Sequence, residues 1–247
     1  MSNTQPVVLI TGATDGIGLA LARQYQQRNA RLVLLGRRDR ATLDSALFTA
    51  DSYCQVDLAR PNCAATVAAF FQQRAVEHLD LLIHNAGVGF YGAVTDQPVA
   101  SIRELVAVNL QTPIALTHTL LPHLERARGQ LVFISSVVSA LPVPQYAVYG
   151  ATKAALDGFA RSLRIELHGK ILVQVIHPGA TRTKMHARSG APISERRWRR
   201  FPASKTVAAQ IIAAIDQRRP TATIGRGNQV LRFAGRYLDW LIDRVIR

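Results

Sequence analysis

Cysteine is scarce in this chain of 247 residues, which carries only Cys54 and Cys63. Two thiols exclude a disulfide framework and a metal site of recognised cysteine spacing, so we expect both to be free in a reducing cytoplasm. The sequence also lacks an uninterrupted apolar run of about 18 residues, and we expect no membrane-spanning helix. Residues 1–6 are polar and lead straight into an apolar stretch, so we expect no secretory signal.

Acidic residues are also few, since 16 Asp and Glu stand against 30 Lys and Arg, for a formal net charge of +14. The excess of basic residues is unevenly distributed along the chain. Residues 1–181 hold 15 basic and 12 acidic side chains, whereas residues 182–247 hold 15 and 4. A charge block is most often a solvated face, but one this lopsided suggests an anionic partner.

A glycine-rich turn follows the first apolar stretch, residues 7–10, and leads into a helical pattern from residue 19. Glycines in such a turn bend the chain sharply and admit a pyrophosphate, while the helix N-terminus supplies N–H groups and positive potential. The strand, the turn and the helix together predict the start of a dinucleotide site. The candidate cofactor contacts here are Gly12, Thr14, Asp15, Gly16, Ile17 and Gly18.

The second predicted strand, residues 32–35, is followed by Arg37 and Arg38. An NAD site typically has an acidic residue at this strand end to hold the ribose hydroxyls, whereas guanidinium groups suit a 2′-phosphate. We therefore predict NADP(H) in preference to NAD(H), although Arg38 alone is also consistent with a solvated loop residue. Asp39 fits better as the N-cap of the next helix than as a ribose ligand.

A third strand is predicted at 53–57, and the Asp57 carboxylate at its end is suited to accept from an adenine amino group. Capping of the next helix is the alternative for Asp57. A fourth strand, residues 80–84, ends in His84, to which we assign no role. The small residues after it let a cofactor lie over the strand end; these candidate contacts are Asn85, Ala86 and Gly87.

An apolar run at 131–134 predicts a buried strand, so Ser136 lies where that strand ends. No proline occurs between Tyr149 and Pro178, and the residue types favour a helix that opens at Tyr149. Tyr149 and Lys153 are four apart and share one helix face. A free phenol titrates at ~10, and a neighbouring ammonium is expected to favour the phenolate and lower its pKa. With the Ser136 hydroxyl, the pair predicts an acid/base site for a C–O group, although the spacing alone also fits a packed tyrosine beside a solvated lysine.

Asn109 lies within an otherwise apolar helical pattern at 102–109. Asparagine inside a helix is unfavourable by propensity and usually faces solvent, so a buried one needs a reason such as a kink or a bound water. Farther on, the strand at 171–177 ends in a turn whose hydroxyl and N–H groups are suited to meet a nicotinamide. The candidate contacts in that turn are Pro178, Gly179 and Thr181.

Strands alternate with helices along the chain until a seventh strand at 221–225. This rhythm predicts a seven-stranded parallel sheet with helices on both faces, which is a doubly wound, Rossmann-type α/β fold. No internal repeat and no low-complexity linker interrupts it, so we expect residues 1–247 to form a single domain.

Together these residues resemble the short-chain dehydrogenase/reductase family over essentially the whole chain to about Gly225. The matching positions are Thr11-Gly12 to Gly16-Ile17-Gly18, Asn85-Ala86-Gly87, Asn109, Ser136, Tyr149 with Lys153, and Pro178-Gly179. The resemblance implies the strand order 3-2-1-4-5-6-7 and a catalytic tetrad of Asn109, Ser136, Tyr149 and Lys153. It implies that the tyrosine is the acid/base and that the serine steadies the substrate oxygen. The lysine is implied to bind the nicotinamide ribose and to lower the tyrosine pKa. The asparagine is implied to hold a water in a proton relay.

Two positions depart from the family pattern. His84 stands where many members carry asparagine, and Asp15 stands where many NADP-dependent members carry arginine or lysine. The second departure removes one of the two usual phosphate contacts, so the NADP(H) prediction rests on Arg37 and Arg38.

In the family, the region beyond Thr181 normally closes over the substrate, and we expect a lid at about 182–202 with one short helix. Ser204 is expected to cap the next helix, and a basic amphipathic helix is expected at about 228–247. One of its faces is apolar, with Phe233, Tyr237, Trp240, Leu241 and Val245. A stripe opposite carries Arg232, Arg236, Asp239, Asp243 and Arg247.

Such an apolar helix needs a surface to cover it. The favoured cover is its own domain or a second subunit, as in a homodimer or homotetramer, and an amphipathic anchor on a membrane surface is the next alternative. We expect no nucleic-acid partner, because no recognition module is visible. We expect a cytoplasmic location, with peripheral membrane contact as its variant.

The leading functional hypothesis is an NADP(H)-dependent oxidoreductase that interconverts a carbonyl and an alcohol. Leu141, Val143 and Tyr146, after the strand that ends near Ser136, suggest a lipophilic ketone, aldehyde or acyl-type substrate. A non-catalytic NADP(H)-sensing protein, or a membrane-surface binding protein on the same fold, is the alternative. The filled tetrad weighs against a sensor.

Overall fold

The computed structural model describes residues 5–237 of the chain. Seven parallel strands form one sheet in the order β3-β2-β1-β4-β5-β6-β7. They are β1 (Val7–Thr11), β2 (Arg31–Gly36), β3 (Tyr53–Gln55), β4 (Leu81–His84), β5 (Gln130–Ile134), β6 (Leu172–His177) and β7 (Thr221–Thr223). The predicted doubly wound fold and strand order are confirmed.

Helices link or follow these strands throughout the described residues. They are α1 (Gly16–Gln27), α2 (Cys63–Gln73), α3 (Val99–Val106), α4 (Thr112–Ala127), α5 (Ala147–Glu166), α6 (Lys184–Arg188), α7 (Glu195–Arg200), α8 (Ser204–Asp216) and α9 (Arg226–Tyr237). A π-helical turn, Ala107–Gln111, joins α3 to α4, and a 3₁₀ turn, Val137–Ala140, follows β5. None of the helices in residues 5–237 is both long and apolar enough to cross a membrane.

The sheet is covered on both faces, and β1 shows how. Val7 and Leu9 belong to an apolar core that includes side chains of α2, α4 and α5. Val8 and Ile10 belong to a second core that includes side chains of α1 and α8. Successive side chains of a strand point to opposite faces, so an unbroken apolar strand requires a helical layer on each side.

The order of the strands reverses between β1 and β4, and in doubly wound sheets a crevice opens at that point beyond the carboxyl ends of the strands. The side-chain amide of Asn85, just after β4, donates to the Thr11 carbonyl oxygen at 3.0 Å. The Thr11 hydroxyl in turn accepts from the backbone N–H groups of Asn85 and Ala86, both at 3.0 Å. The glycine turn and the Asn85 turn therefore lie side by side at the crevice.

Some predicted helix starts are displaced. Helix α5 begins at Ala147, so Tyr149 lies within its first turn and does not open it. The prediction that Ser204 caps α8 is wrong, because the backbone is still extended at Ala203 and that residue takes the N-cap position. Asp39 does cap the short 3₁₀ turn that follows it, and its side chain accepts from the N–H of Ala41.

The segment at 182–202 holds two short helices, α6 and α7, where one was predicted. Gly190, with a φ of +80°, and Pro192 lie between them and interrupt helical geometry. Helix α9 begins at Arg226, earlier than predicted, and the predicted continuation over 238–247 lies outside the described residues.

The orientation of α9 differs from the prediction. The Arg232 side chain, expected on a solvent-facing stripe, is only 12% exposed, and its guanidinium lies 3.0 Å from the Asp157 carboxylate of α5. Phe233 and Tyr237, expected to be covered by the domain or by a second subunit, are exposed in the chain. The buried ion pair decides which side of the helix faces the protein.

Two glycines in helices give a test of how tightly the glycine turn is packed. A Cβ at Gly18 would overlap the Gly12 carbonyl oxygen, whereas a Cβ at Gly158, on the exposed side of α5, meets no atom within 4 Å. We expect Gly18→Ala to lower the free energy of unfolding by about 1–3 kcal/mol. The control Gly158→Ala should raise it by about 0.5–1 kcal/mol. Urea denaturation of both variants checks this, and equal stabilities would contradict it.

Candidate active site

A cavity of about 210 Å³ lies over the carboxyl ends of β1 and β4. Gly12, with a φ of +66°, turns the chain beneath it, and a Cβ there would come within 2.9 Å of the Ala86 Cα. The Asp15 carboxylate caps α1 by accepting from the Gly16 N–H at 2.7 Å. The predicted contacts that line this cavity are Gly12, Thr14, Asp15, Gly16, Ile17, Arg37, Asp57, Asn85, Ala86 and Gly87.

Gly18 and Arg38 lie outside the cavity lining. Gly18 serves the packing of α1 against the turn, while the Arg38 guanidinium reaches the Thr42 carbonyl oxygen at 3.4 Å. Arg37 does line the cavity, and its guanidinium pairs with Glu104 at 3.3 Å. Of the two arginines on which the cofactor prediction rests, the structure therefore brings only Arg37 to the cleft.

Asp57 lines the cavity, and its carboxylate also accepts a hydrogen bond in the turn that follows it. Its carboxylate accepts from the Ala59 N–H at 3.0 Å and lies 3.7 Å from the Arg60 guanidinium. The alternative that Asp57 caps the next helix is wrong, because α2 begins at Cys63 and Asn62 takes its N-cap position. The place of Asp57 in the cavity lining is compatible with the predicted contact to an adenine amino group.

Asn109 is fully buried in the π-helical turn. Its side-chain oxygen accepts from the Val88 N–H, and its amide donates to the Val88 carbonyl oxygen, both at 2.9 Å. The same amide donates to the Thr152 hydroxyl at 3.1 Å. Of the two reasons offered for a buried asparagine, a kink or a bound water, the structure shows an irregular turn of the helix, and Asn109 ties the loop after Gly87 to α5.

A second, larger cavity of about 550 Å³ adjoins the first. The predicted residues that line it are Ser136, Tyr149, Lys153, Pro178, Gly179 and Thr181. The residues that line both cavities are Ile17, Asn85, Gly87, Thr183 and Met185. The two cavities thus form one cleft that runs from the glycine turn to Tyr149.

Ser136 and Tyr149 meet at the inner end of the larger cavity. Ser136 caps the 3₁₀ turn after β5, and its hydroxyl accepts from the Val138 N–H at 3.3 Å. Burial raises the pKa of Tyr149 to about 12, and hydrogen bonding with Ser136 opposes that rise. Lys153 is not among the groups that shift this pKa, so the predicted lowering of the phenol pKa by Lys153 is not seen here.

Lys153 is 3% exposed, and its amine donates to the Ile134 carbonyl oxygen at 3.0 Å. The amine lies 5.9 Å from the centre of the Tyr149 ring. Burial lowers the pKa of Lys153 to about 8, and the Asp157 carboxylate opposes that change. A Cβ at Gly87 would come within 3.5 Å of both the Lys153 amine and the Asn109 side-chain oxygen, so the tetrad residues surround this glycine.

The family model for short chain dehydrogenases matches residues 6–193. The chain belongs to the short-chain dehydrogenase/reductase family. Members of this family are oxidoreductases that use a nicotinamide cofactor.

Relatives and solved structures agree with this membership. The chain is 38% identical over 192 residues to dehydrogenase/reductase SDR family member 7B of Rattus norvegicus, which covers 72% of this chain and 59% of that protein. It is 30% identical over 252 residues to an 11-beta-hydroxysteroid dehydrogenase of Pinus massoniana, which covers 97% of this chain and 70% of that protein. A short-chain dehydrogenase from Sphingobium yanoikuyae in complex with NADPH superposes with a TM-score of 0.80 at 27% identity, over 98% of this chain and 94% of that one.

Arg188 is a cleft residue that sequence reasoning missed. It comes from α6, lines the smaller cavity, and places its guanidinium 3.1 Å from the Asp15 carboxylate. Thr183 packs on Gly16 beside it. Two features of the sequence could have indicated it. Asp15 stands where many NADP-dependent members of the family carry arginine or lysine, and the segment at 182–202 is rich in arginine.

His84 has no role in the cleft, as expected. It is buried, stacks on Phe133 and shares a hydrogen bond of 3.0 Å with the Thr117 hydroxyl. Burial lowers its pKa to about 3. A neutral core histidine fits these contacts.

The buried amine of Lys153 gives a pH-dependent test. Its pKa in the folded chain, about 8, is below its ordinary 10.5, so the buried ammonium destabilises the fold below pH 8 and this penalty is relieved between pH 8 and 10.5. Lys153→Met removes both this penalty and the hydrogen bond to Ile134, so the test is the pH dependence of its stability relative to wild type. That difference should move in favour of wild type by ~3 kcal/mol as the pH rises from 7 to 10.5.

Urea denaturation at intervals from pH 7 to 10.5 measures that difference. The control is Lys170→Met, an exposed lysine that pairs with Glu125. Its difference from wild type should stay flat over the same range. A flat difference for Lys153→Met would contradict a lowered pKa for its amine.

Proposed function

We propose that the protein is an NADP(H)-dependent oxidoreductase that interconverts a carbonyl and an alcohol. The observation that carries the proposal is the convergence of Ser136, Tyr149 and Lys153 on one cavity that is continuous with the cleft over the glycine turn. We further propose that residues 1–247 work as one domain, because one sheet supplies both ends of this cleft.

The cleft has the features that a dinucleotide requires. Gly12 and Gly87 line the cavity without side chains, Gly12 lets the glycine turn lie against Ala86, and α1 directs its N-terminus at the cavity. The smaller cavity is lined by Asn85, Ala86 and Gly87, and two of them, Asn85 and Gly87, also line the larger one. When bound, the nicotinamide ring supplies or accepts the hydride.

The tetrad residues handle the proton and the substrate oxygen. In reduction, the Tyr149 hydroxyl would give its proton to the substrate oxygen, and Ser136 would hold that oxygen by a hydrogen bond. Lys153 would hold the nicotinamide ribose and pass a proton back toward Tyr149. Asn109 fixes the loop after Gly87 and, with a water, extends that path to solvent.

The direction of the reaction is proposed to be reduction, because NADP(H) is the proposed cofactor. Burial keeps the Tyr149 hydroxyl protonated at neutral pH, which is the state that gives a proton to the substrate oxygen in reduction. Lys153, whose pKa is about 8, titrates near working pH and can exchange protons readily.

The lining of the larger cavity supports a lipophilic substrate, such as a ketone, an aldehyde or an acyl-type compound. The predicted residues Leu141, Val143 and Tyr146 line it. Further apolar side chains come from the lid and from α9; they are Ile193, Phe201 and Leu231. Arg197 is also in the lining, and its positive charge is compatible with an acidic group on the substrate.

NADP(H) is proposed over NAD(H) because of the cations around the smaller cavity. Arg37 follows β2 where the adenosine ribose would lie, and Arg188 and Lys184 approach from the lid. Glu104 and Asp15 pair with Arg37 and Arg188 respectively, so each cation is held in position by a carboxylate. The Sphingobium yanoikuyae relative has NADPH bound, which is consistent with this preference.

A non-catalytic NADP(H)-sensing protein on the same fold is disfavoured, because a sensor does not require a serine, a phenol and a buried amine around one cavity. The expected homodimer or homotetramer, the cytoplasmic location and the lack of a nucleic-acid partner stay predictions. The substrate is a small molecule, as for the family.

Tyr149→Phe tests the acid/base role. We expect it to lower kcat for NADPH-dependent reduction of an apolar ketone by a factor of about 10²–10⁴, with the Kd for NADPH nearly unchanged. The matched control is Tyr146→Phe, a phenol in the same cavity whose ring centre lies 5.9 Å from that of Tyr149. It should keep most of the activity. Equal turnover by wild type and Tyr149→Phe would refute the role.

Arg37→Ala tests the cofactor preference. If its guanidinium holds the 2′-phosphate, the variant should bind NADPH about tenfold more weakly and NADH with little change. Arg38→Ala, from outside the cavity, is the control and should bind both as wild type does. Titration of intrinsic fluorescence gives the Kd values without any substrate. A uniform loss for both cofactors would argue against phosphate recognition by Arg37.

A further inference from the structure

Helix α9 turns an apolar face to solvent. Val230, Phe233 and Tyr237 recur at the spacing of a single helix face, and their exposed fractions are 69%, 61% and 61%. Among the described residues, no other helix exposes three large apolar side chains. Isolated exposed apolar residues are ordinary, but a contiguous set on one face marks an interaction site.

The opposite face of α9 is fixed to the protein. A Cβ at Gly235 would overlap the Ala140 carbonyl oxygen, so the helix backbone lies directly on the 3₁₀ turn that follows Ser136. The side-chain amide of Asn228 donates to the Ile224 carbonyl oxygen at 2.7 Å, next to Gly179. These contacts leave no space on that side for a ring such as that of Phe233.

A buried polar cluster prevents α9 from rotating to hide its apolar face. The Arg232 guanidinium lies 3.0 Å from Asp157 and 2.9 Å from the His177 ring, and His177 lies 2.9 Å from the same carboxylate. The Ser139 hydroxyl donates to that carboxylate at 2.8 Å. Rotation would withdraw Arg232 and leave Asp157 buried without its cation, which is strongly unfavourable.

The charge around the exposed face is positive. Arg226 shares that face, Arg236 borders it, and neither pairs with a carboxylate of the described residues. No acidic residue occurs in α9. The wider segment 182–247 has 15 basic against 4 acidic residues.

We propose that α9 docks this face on the surface of an anionic lipid bilayer. Aromatic and aliphatic side chains enter the boundary between headgroups and acyl chains, while Arg226 and Arg236 meet the anionic headgroups. A second copy of the chain is the less suitable cover, because a two-fold contact through the same face would bring arginines of both copies together.

Docking through this face leaves the larger cavity on another side of α9. Asn228 and Leu231 line that cavity, and at 100° per residue neither lies on the face that carries Val230, Phe233 and Tyr237. The docking therefore does not rest on the proposed reductase function.

Co-sedimentation of the full chain with vesicles tests the docking without any substrate. One set of vesicles is phosphatidylcholine alone, and the other contains about one quarter phosphatidylserine. We expect binding to the anionic set, at least about fivefold weaker binding for Phe233→Ser/Tyr237→Ser, and a lost anionic preference for Arg226→Gln/Arg236→Gln. Val99→Ser, which removes an apolar side chain that is 62% exposed on α3, should bind as wild type does.

Sedimentation equilibrium of the same variants distinguishes docking on a bilayer from contact with a second copy of the chain. A wild-type dimer that Phe233→Ser/Tyr237→Ser converts to monomer, with no vesicle binding by wild type, would assign the face to a second copy and overturn the proposal. Vesicle binding that the same double variant leaves intact would overturn it as well. Cofactor binding measured on each variant confirms that it is folded, because the substituted side chains are exposed and lie outside the cofactor cavity.

Discussion

One buried hydrogen bond connects the two parts of the candidate site. The Lys153 amine enters the protein interior and donates to the Ile134 carbonyl oxygen, which joins α5 to the last residue of β5. The bond orients the first turns of α5, and it therefore brings Tyr149 next to Ser136, two residues beyond the strand. A buried cation is costly unless it is hydrogen-bonded, so this contact fixes its position strongly. The cleft, the phenol and the strand end depend on it together.

The sequence is sufficient to predict the features that follow from short-range periodicity. Alternation of apolar strands with helical segments indicates a parallel sheet, and the spacing of Tyr149 and Lys153 places them on one helix face. The glycine turn before α1 is partly of this kind, since a Cβ at Gly18 would overlap the Gly12 carbonyl oxygen six residues earlier, whereas Gly12 is required by the distant Ala86. The strands and helices are confirmed because each depends mainly on neighbours within a few residues, and the family resemblance supplies their order in the sheet.

Features that depend on distant partners could not be predicted. Arg37 and Arg38 are adjacent and chemically identical, and only the path of the chain after β2 decides that one faces the cleft. Arg232 lies on a polar stripe by sequence, yet it is drawn inward by Asp157, 75 residues away. The pKa of Tyr149 likewise depends mainly on its depth in the fold, which the spacing of Tyr149 and Lys153 does not reveal.

The π-helical turn at Ala107–Gln111 constrains how this chain can change its length. A π turn accommodates one residue more than a regular helix, and each helical residue advances the direction of the side chains by about 100°. Removing a residue there would convert the bulge to regular helix and rotate Asn109 away from Val88. Substitutions in this stretch are therefore expected to be tolerated more readily than deletions. A deletion would change the rotation of α4 relative to α3, whereas a substitution would not.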